Sequence, residues 1–152
     1  MNTKNATQHL LMVRPARFAM NAQTAVDNHY QDQQAQVQGA DELAKAEFDQ
    51  FVAVLRSHGV HIHVVQDTEE PHTPDSVFPN NWISMHEDGT VVLYPMKAEN
   101  RRLERIATIQ EQLNEWGFAV NEVVDLSEHE QHGVFLEGTG ALIFGHDARV
   151  VY

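Results

Sequence analysis

Twice along this chain an amphipathic helix stops at a glycine and a strand follows at once. In residues 41–58 (DELAKAEFDQFVAVLRSH), Leu43, Ala44, Phe48, Phe51, Val52 and Leu55 recur near i, i+4, i+8, which makes one apolar helix face. Asp41 and Glu42 suit the positive N-terminal end of that helix, and Arg56 and His58 its negative C-terminal end. Gly59 is the stop signal, and residues 60–65 (VHIHVV) read as a strand. The second occurrence is residues 99–116, with Leu103, Ile106, Ile109 (or Gln110) and Leu113 on one face. Gly117 ends it, and residues 118–124 form the next strand.

The segments around these units are β-like. Residues 9–13 (HLLMV) are a buried strand that stops at Arg14-Pro15, because Pro15 cannot donate to a ladder. Residues 66–75 are a loop rich in acidic residues and proline. Residues 76–86 and 90–94 flank Glu87-Asp88-Gly89, and Asp-Gly between β-rich runs signals a hairpin. Residues 134–136, 141–144 and 149–152 read as three short strands joined by glycine-containing turns. The Gln-rich stretch 31–38 reads as a solvated loop or helix lead-in.

The predicted fold class is therefore α/β (α+β), one partial domain over residues 1–152. Residues 76–124 make a complete ββαβ module, residues 11–65 the same module with an altered start, and residues 133–152 the start of a third. Val150-Val151-Tyr152 falls inside what reads as a buried strand. This predicts a truncated chain or a partner segment from another subunit; a short edge strand is the alternative.

Composition narrows the function classes. Lys plus Arg is 10 and Asp plus Glu is 22, a formal charge of −12. That balance argues against nucleic acid and against an anionic membrane surface. No stretch approaches the ~20 apolar residues of a membrane helix, and the polar start lacks a signal pattern, so the cytoplasm is the default compartment. Cysteine is absent, which excludes a disulfide scaffold, a zinc ribbon and any thiolate nucleophile within these residues.

Three groups of residues could carry chemistry. Asn80 and Asn81 lie inside an apolar strand region, where unpaired amides are costly. They suit a planar amide or ureido ligand, or they cap a bulge beside Pro79. Glu137 ends an apolar run before Gly138 and Gly140. It could orient a histidine or hold a cation, or it is a plain turn residue. The third group is histidine. His61 and His63 share a strand face, and His129 and His132 are i, i+3 in a polar loop. There is no HExxH and no Cys/His set. Two histidines on one strand face are half a site, so they read as solvated and no metal site or cofactor is expected.

The segment PDSVFPNN (residues 74–81), the following hairpin, Tyr94-Pro95, Arg101-Arg102-Leu103-Glu104 and FLEGTG (residues 135–140) together resemble the guanidine-modifying, or pentein, superfamily. With VRPARFAMNAQTA (residues 13–25), the resemblance is closest to the citrulline-utilisation hydrolase-like branch, often labelled amidinotransferase and related to dimethylarginine dimethylaminohydrolases and arginine deiminases. It covers about residues 11–152. It implies a five-bladed α/β propeller of ββαβ modules, of which two to three are present here.

The resemblance also implies hydrolysis, or transfer, at a C–N bond of a guanidino or ureido amino acid. A Cys thiolate attacks and a His serves as acid and then base. Glu137 matches the carboxylate that supports the His, and Asp75 matches a substrate-cleft aspartate. Asn80 and Asn81 fall where dimethylarginase-like members carry Glu and Asp. Two amides lack the charge complement of a guanidinium and suit a neutral ureido group, as in citrulline. Tyr94 stands where an arginine for the substrate carboxylate is often found. The family's catalytic His and Cys follow the Glu motif, so they are expected outside this chain, which alone should be inactive. The expected partner is a small guanidino or ureido amino acid, with a homo-oligomer left open. The alternative, from a different class, is a non-catalytic amino-acid-binding or regulatory module.

Overall fold

A two-stranded parallel pair needs a crossover between its strands, and in this protein a helix provides it. In the computed structural model, which describes residues 7–25, 39–145 and 148–152, β1 (His9–Arg14) pairs in parallel with β2 (His61–Gln66). The helix α1 (Ala40–Ser57) lies between them in sequence. The Gln-rich stretch 31–38 lies outside the described residues. The chain divides into two compact units, Ala6–Phe78 and Pro79–Tyr152.

The first unit follows the expected strand, helix and strand closely. Gly39 (φ 81°) precedes α1 and Gly59 (φ 83°) follows it, both in the left-handed region that favours glycine. Arg14 at the end of β1 forks onto Asp49 of α1 through Nε and Nη2 at 2.7 and 2.8 Å. That bond holds the Asp49 carboxyl below its ordinary range. Asp41 accepts from Lys45 Nζ at 2.8 Å and from the Phe18 backbone N–H at 2.7 Å, and both lower its pKa.

The apolar face of α1 is only partly covered. Val52 is buried, but Leu43 and Phe51 are each 54% exposed. A pair of strands spaced ~4.8 Å apart is narrower than a helix of ~10 Å diameter, so part of the stripe stays open. Phe18, Leu43, Phe48, Phe51 and Val77 line an apolar groove of about 490 Å³ there.

The sheet register sets His9 beside His61 and Leu11 beside His63, so three imidazoles share one face. Burial first, then His9, His61 and Arg56, push the His63 pKa below its ordinary 6.5. A histidine depressed in the folded state makes the unfolded chain the better proton binder. Its contribution to stability is complete above pH 6.5 and is lost as pH falls from there towards the lower folded value. Urea unfolding at pH 7.5 and 5.5 should therefore show a smaller drop in His63→Gln than in the unaltered chain. Equal drops would remove His63 as the cause.

In the second unit the Asp-Gly hairpin forms as expected. The strand β3 (Ile83–Met85) pairs antiparallel with β4 (Thr90–Leu93), and β5 (Glu122–Asp125) adds to β4 in parallel. Gly89 (φ 84°) sits in the turn, where a Cβ would lie 2.4 Å from the Ala119 carbonyl oxygen. The Thr90 N–H donates to Asp88 Oδ1 and lowers that carboxyl's pKa. Trp82, Ile83, Val91, Tyr94, Met96, Ile109 and Leu113 are buried.

Several expectations are corrected here. The strand over 76–86 shrinks to β3, because Ser76 and Phe78 close turns onto Thr73 and Asp75 and residues Pro79–Asn81 form a 3₁₀ turn. The long helix over 99–116 splits into α2 (Glu99–Arg102) and α3 (Ile109–Glu115). Charge pairing overrides helical periodicity between them. Glu104 is buried against Arg101, and Arg105 forks onto Glu130 at 2.6 and 3.0 Å, leaving Leu103 55% exposed.

The expected strand 118–124 is only β5. No strand forms over 134–136. Residues Ser127–His132 are 3₁₀ helix and Gly138–Ala141 is a single helical turn, α4. The last two strands are β6 (Phe144–Gly145) and β7 (Val150–Val151), paired antiparallel. Val150 and Val151 are exposed, at 40% and 54%, not buried. Among the described residues no helix is long and apolar enough to cross a membrane.

Candidate functional site

Two short turns from distant parts of the second unit meet. Pro79 starts the first, since it has no N–H to give to a ladder, and the Trp82 N–H closes it onto the Pro79 carbonyl at 3.0 Å. The second begins at Glu137, whose carbonyl accepts the Gly140 and Ala141 N–H groups at 2.9 and 3.2 Å. Asn80 Nδ2 donates to Thr139 Oγ1 at 3.1 Å, and Thr139 Oγ1 returns to the Asn80 carbonyl at 3.3 Å. Asn81 Nδ2 reaches the Glu137 carbonyl at a long 3.5 Å.

The glycines make this approach feasible. A Cβ on Gly138 (φ 38°) would sit 2.4 Å from the Asn80 carbonyl oxygen, and one on Gly140 would sit 1.9 Å from Asn81 Nδ2. Gly138 of the FLEGTG motif is thus a packing requirement, because the atom a Cβ would meet there is backbone.

The Glu137 carboxylate is held by the 94–104 segment. Its Oε1 accepts the Lys97 N–H at 3.3 Å, and Arg101 Nη1 stands 3.8 Å from Oε2. Its side chain keeps 30% exposure, so a proton donor or cation can reach it. Arg101 itself is buried and pairs with Glu104 through Nε at 3.0 Å. Tyr94 is buried, and its hydroxyl pairs with Ser84 Oγ at 2.8 Å.

Asn80, Asn81 and Glu137, singled out from sequence, are therefore neighbours, although on turns and not on strands. Asp75 belongs to the first unit, where it is buried. Its Oδ2 accepts from Asn21 Nδ2 at 2.7 Å and Thr24 Oγ1 at 3.2 Å. Sequence reasoning missed Asn21, which is fully buried, as well as Thr139 and Arg101. An amide set among Phe18, Ala19 and Met20 was the available signal for Asn21. None of Asp75, Asn80, Asn81 and Glu137 lines the apolar groove on α1. Among the described residues no group of three or more His, Cys, Asp or Glu side chains is placed to hold a metal ion.

The short-stranded α/β scaffold has the pentein fold. Residues 14–152 match the family described as N,N dimethylarginine dimethylhydrolase, eukaryotic, and the chain belongs to that family. No curated protein matches it at significance.

Solved structures share the fold. The N-terminal domain of ArgZ, an arginine dihydrolase from the ornithine–ammonia cycle in Cyanobacteria, was crystallised as a cysteine-to-serine variant with substrate. It aligns with a TM-score of 0.61 at 19% identity, over 94% of this chain and 47% of that one. Unliganded AgrE gives 0.61 at 18%, over 95% and 20%. A cysteine-to-alanine variant of AgrE with L-arginine gives 0.62 at 18%, over 94% and 19%. The chain thus spans about half the length of the ArgZ domain.

Proposed function

We propose that this chain supplies the substrate-holding part of a C–N hydrolase for guanidino or ureido amino acids. The thiolate and histidine come from outside these 152 residues, which contain no cysteine. The reading rests chiefly on the Asn80-Asn81 turn closing onto the Glu137 turn. In it Asn80 and Asn81 hold the planar group and Glu137 supports the attacking pair's histidine. Family membership and the arginine-handling fold neighbours support it. The chemistry is hydrolysis, with transfer to an amine as the variant reaction, in the cytoplasm, and the β-modules are completed by further modules. Without a thiolate the chain alone releases neither ammonia nor ornithine from arginine or citrulline.

Amides donate as well as accept and carry no charge, so a neutral ureido group is the better fit. Calorimetric titration should show citrulline binding more tightly than arginine. Converting Asn80 and Asn81 to Asp should reverse that order by tenfold or more, since charge-assisted bonds are about twice as strong as neutral ones. Binding of neither amino acid would sink the reading. A non-catalytic binding module would give the same binding. It is separated by adding back a cysteine-bearing remainder of the domain, which restores turnover only in the enzyme reading.

A further inference from the structure

Thr139 and Asn80 bond to each other twice, and the single hydroxyl proton fixes which way the Asn80 amide faces. A hydroxyl carries one proton and two lone pairs. Thr139 Oγ1 gives its proton to the Asn80 backbone carbonyl at 3.3 Å, a group that can only accept. What Oγ1 turns to the Asn80 side chain is therefore a lone pair, and only the N–H end of an amide can use it. That bond runs from Nδ2 to Oγ1 at 3.1 Å. With the amide reversed, its oxygen would stand against a lone pair.

Asn81 faces the same way for a similar reason. Its Nδ2 is directed at the Glu137 carbonyl, again an acceptor alone. The space beside Gly140 is filled by Nδ2, while Oδ1 lies 3.9 Å from where a Cβ would stand. Each amide thus commits one N–H to the turn that begins at Glu137. Among the described residues neither Oδ1 has a protein partner, and Asn80 is exposed.

From this we propose that Thr139 is a positioning residue: it holds the Asn80 amide with its oxygen outward, so that Asn80 and Asn81 offer two acceptors to the N–H groups of a ligand. The inference rests on the function proposed above and names the ligand end that meets the pair, a terminal NH2. A ureido group carries that donor, and its acyl isostere lacks it. Nδ-acetylornithine has the shape of citrulline with a methyl in place of the NH2, so it brings no proton to the two oxygens. The second N–H of each amide is left for the ureido oxygen. Without the Thr139 hydroxyl the Asn80 amide can present either end, and the preference for NH2 weakens.

The test is calorimetric titration of the full chain with citrulline and with Nδ-acetylornithine, repeated on Thr139→Val and Thr139→Ser. Citrulline should bind about tenfold more tightly in the unaltered chain and in Thr139→Ser, since two hydrogen bonds are at stake. Thr139→Val keeps the shape without the hydroxyl and should cut that ratio by about threefold or more. An unchanged ratio overturns the proposal, whatever the melting temperature does. Nitrogen-15 NMR of the Asn80 side-chain NH2 supplies an arm that needs no ligand. In the unaltered chain one of its protons should show a nuclear Overhauser contact to the Thr139 side chain, and its absence overturns the proposal even where a variant does not fold. If the unaltered chain binds neither ligand, the functional reading fails, and the NMR arm alone decides whether Thr139 orients the amide.

Discussion

Arg101→Ala is expected to lower stability by about 3–5 kcal/mol, the cost of leaving one member of a buried ion pair alone. The Arg101 and Glu104 side chains keep only 6% and 1% exposure, so no solvent replaces the lost guanidinium. Arg101 donates to both Glu104 oxygens, through Nε and Nη2, each at 3.0 Å. Removing it takes both of those bonds from the buried Glu104 carboxylate. For a chain of this length the melting temperature should fall on the order of 10 °C. The double variant Arg101→Met with Glu104→Leu should recover most of that loss, because a well-packed apolar pair often matches a buried ion pair. Thermal unfolding followed by circular dichroism checks both. A fall of less than about 2 °C in the single variant would mean that the pair is not desolvated in solution. The same guanidinium lies 3.8 Å from Glu137, so the single variant should also loosen that carboxylate.

Gly138→Ala is expected to cost about 2–4 kcal/mol, from two sources that act together. The residue has φ 38°, which an L side chain tolerates poorly, and its Cβ would lie 2.4 and 3.0 Å from the carbonyl oxygens of Asn80 and Asn81. Both obstacles are backbone, so the two turns must part. Gly140→Ala provides the contrast. Its Cβ meets the Asn81 amide at 1.9 Å, a side-chain end that can swing aside. Its melting temperature should change little, while citrulline binding falls by tenfold or more because Asn81 has moved. Equal melting of the two variants would show that the turns do not meet as described.

Much of the first unit was legible from neighbouring residues. The apolar spacing of α1, the glycine after it and the run VHIHVV specify helix, stop and strand within about 25 residues of chain. The hairpin at Asp88-Gly89 is equally local, because its turn is made by the residues that occupy it. The meeting of Asn80 and Asn81 with the Glu137 turn was legible as residue types and not as geometry. The Asn pair sits on a 3₁₀ turn, and the run before Glu137 forms no strand. Arg101 was visible only as part of a motif, because what makes it matter is burial.

The sequence by itself determined the α/β class, the helix–glycine–strand order and the absence of a thiolate, since each depends on composition or on near neighbours. Tertiary structure decided the rest. The helix expected over 99–116 breaks because Arg105 finds Glu130 25 residues away. Asn80 is positioned by Thr139 at a separation of 59 residues, and Asp75 by Asn21 and His63 by His9 at 54 each. Helical periodicity is set by local backbone bonds worth about 1 kcal/mol each net. A buried or bidentate charge pair is worth more than one of them, and its partner can lie anywhere in the chain.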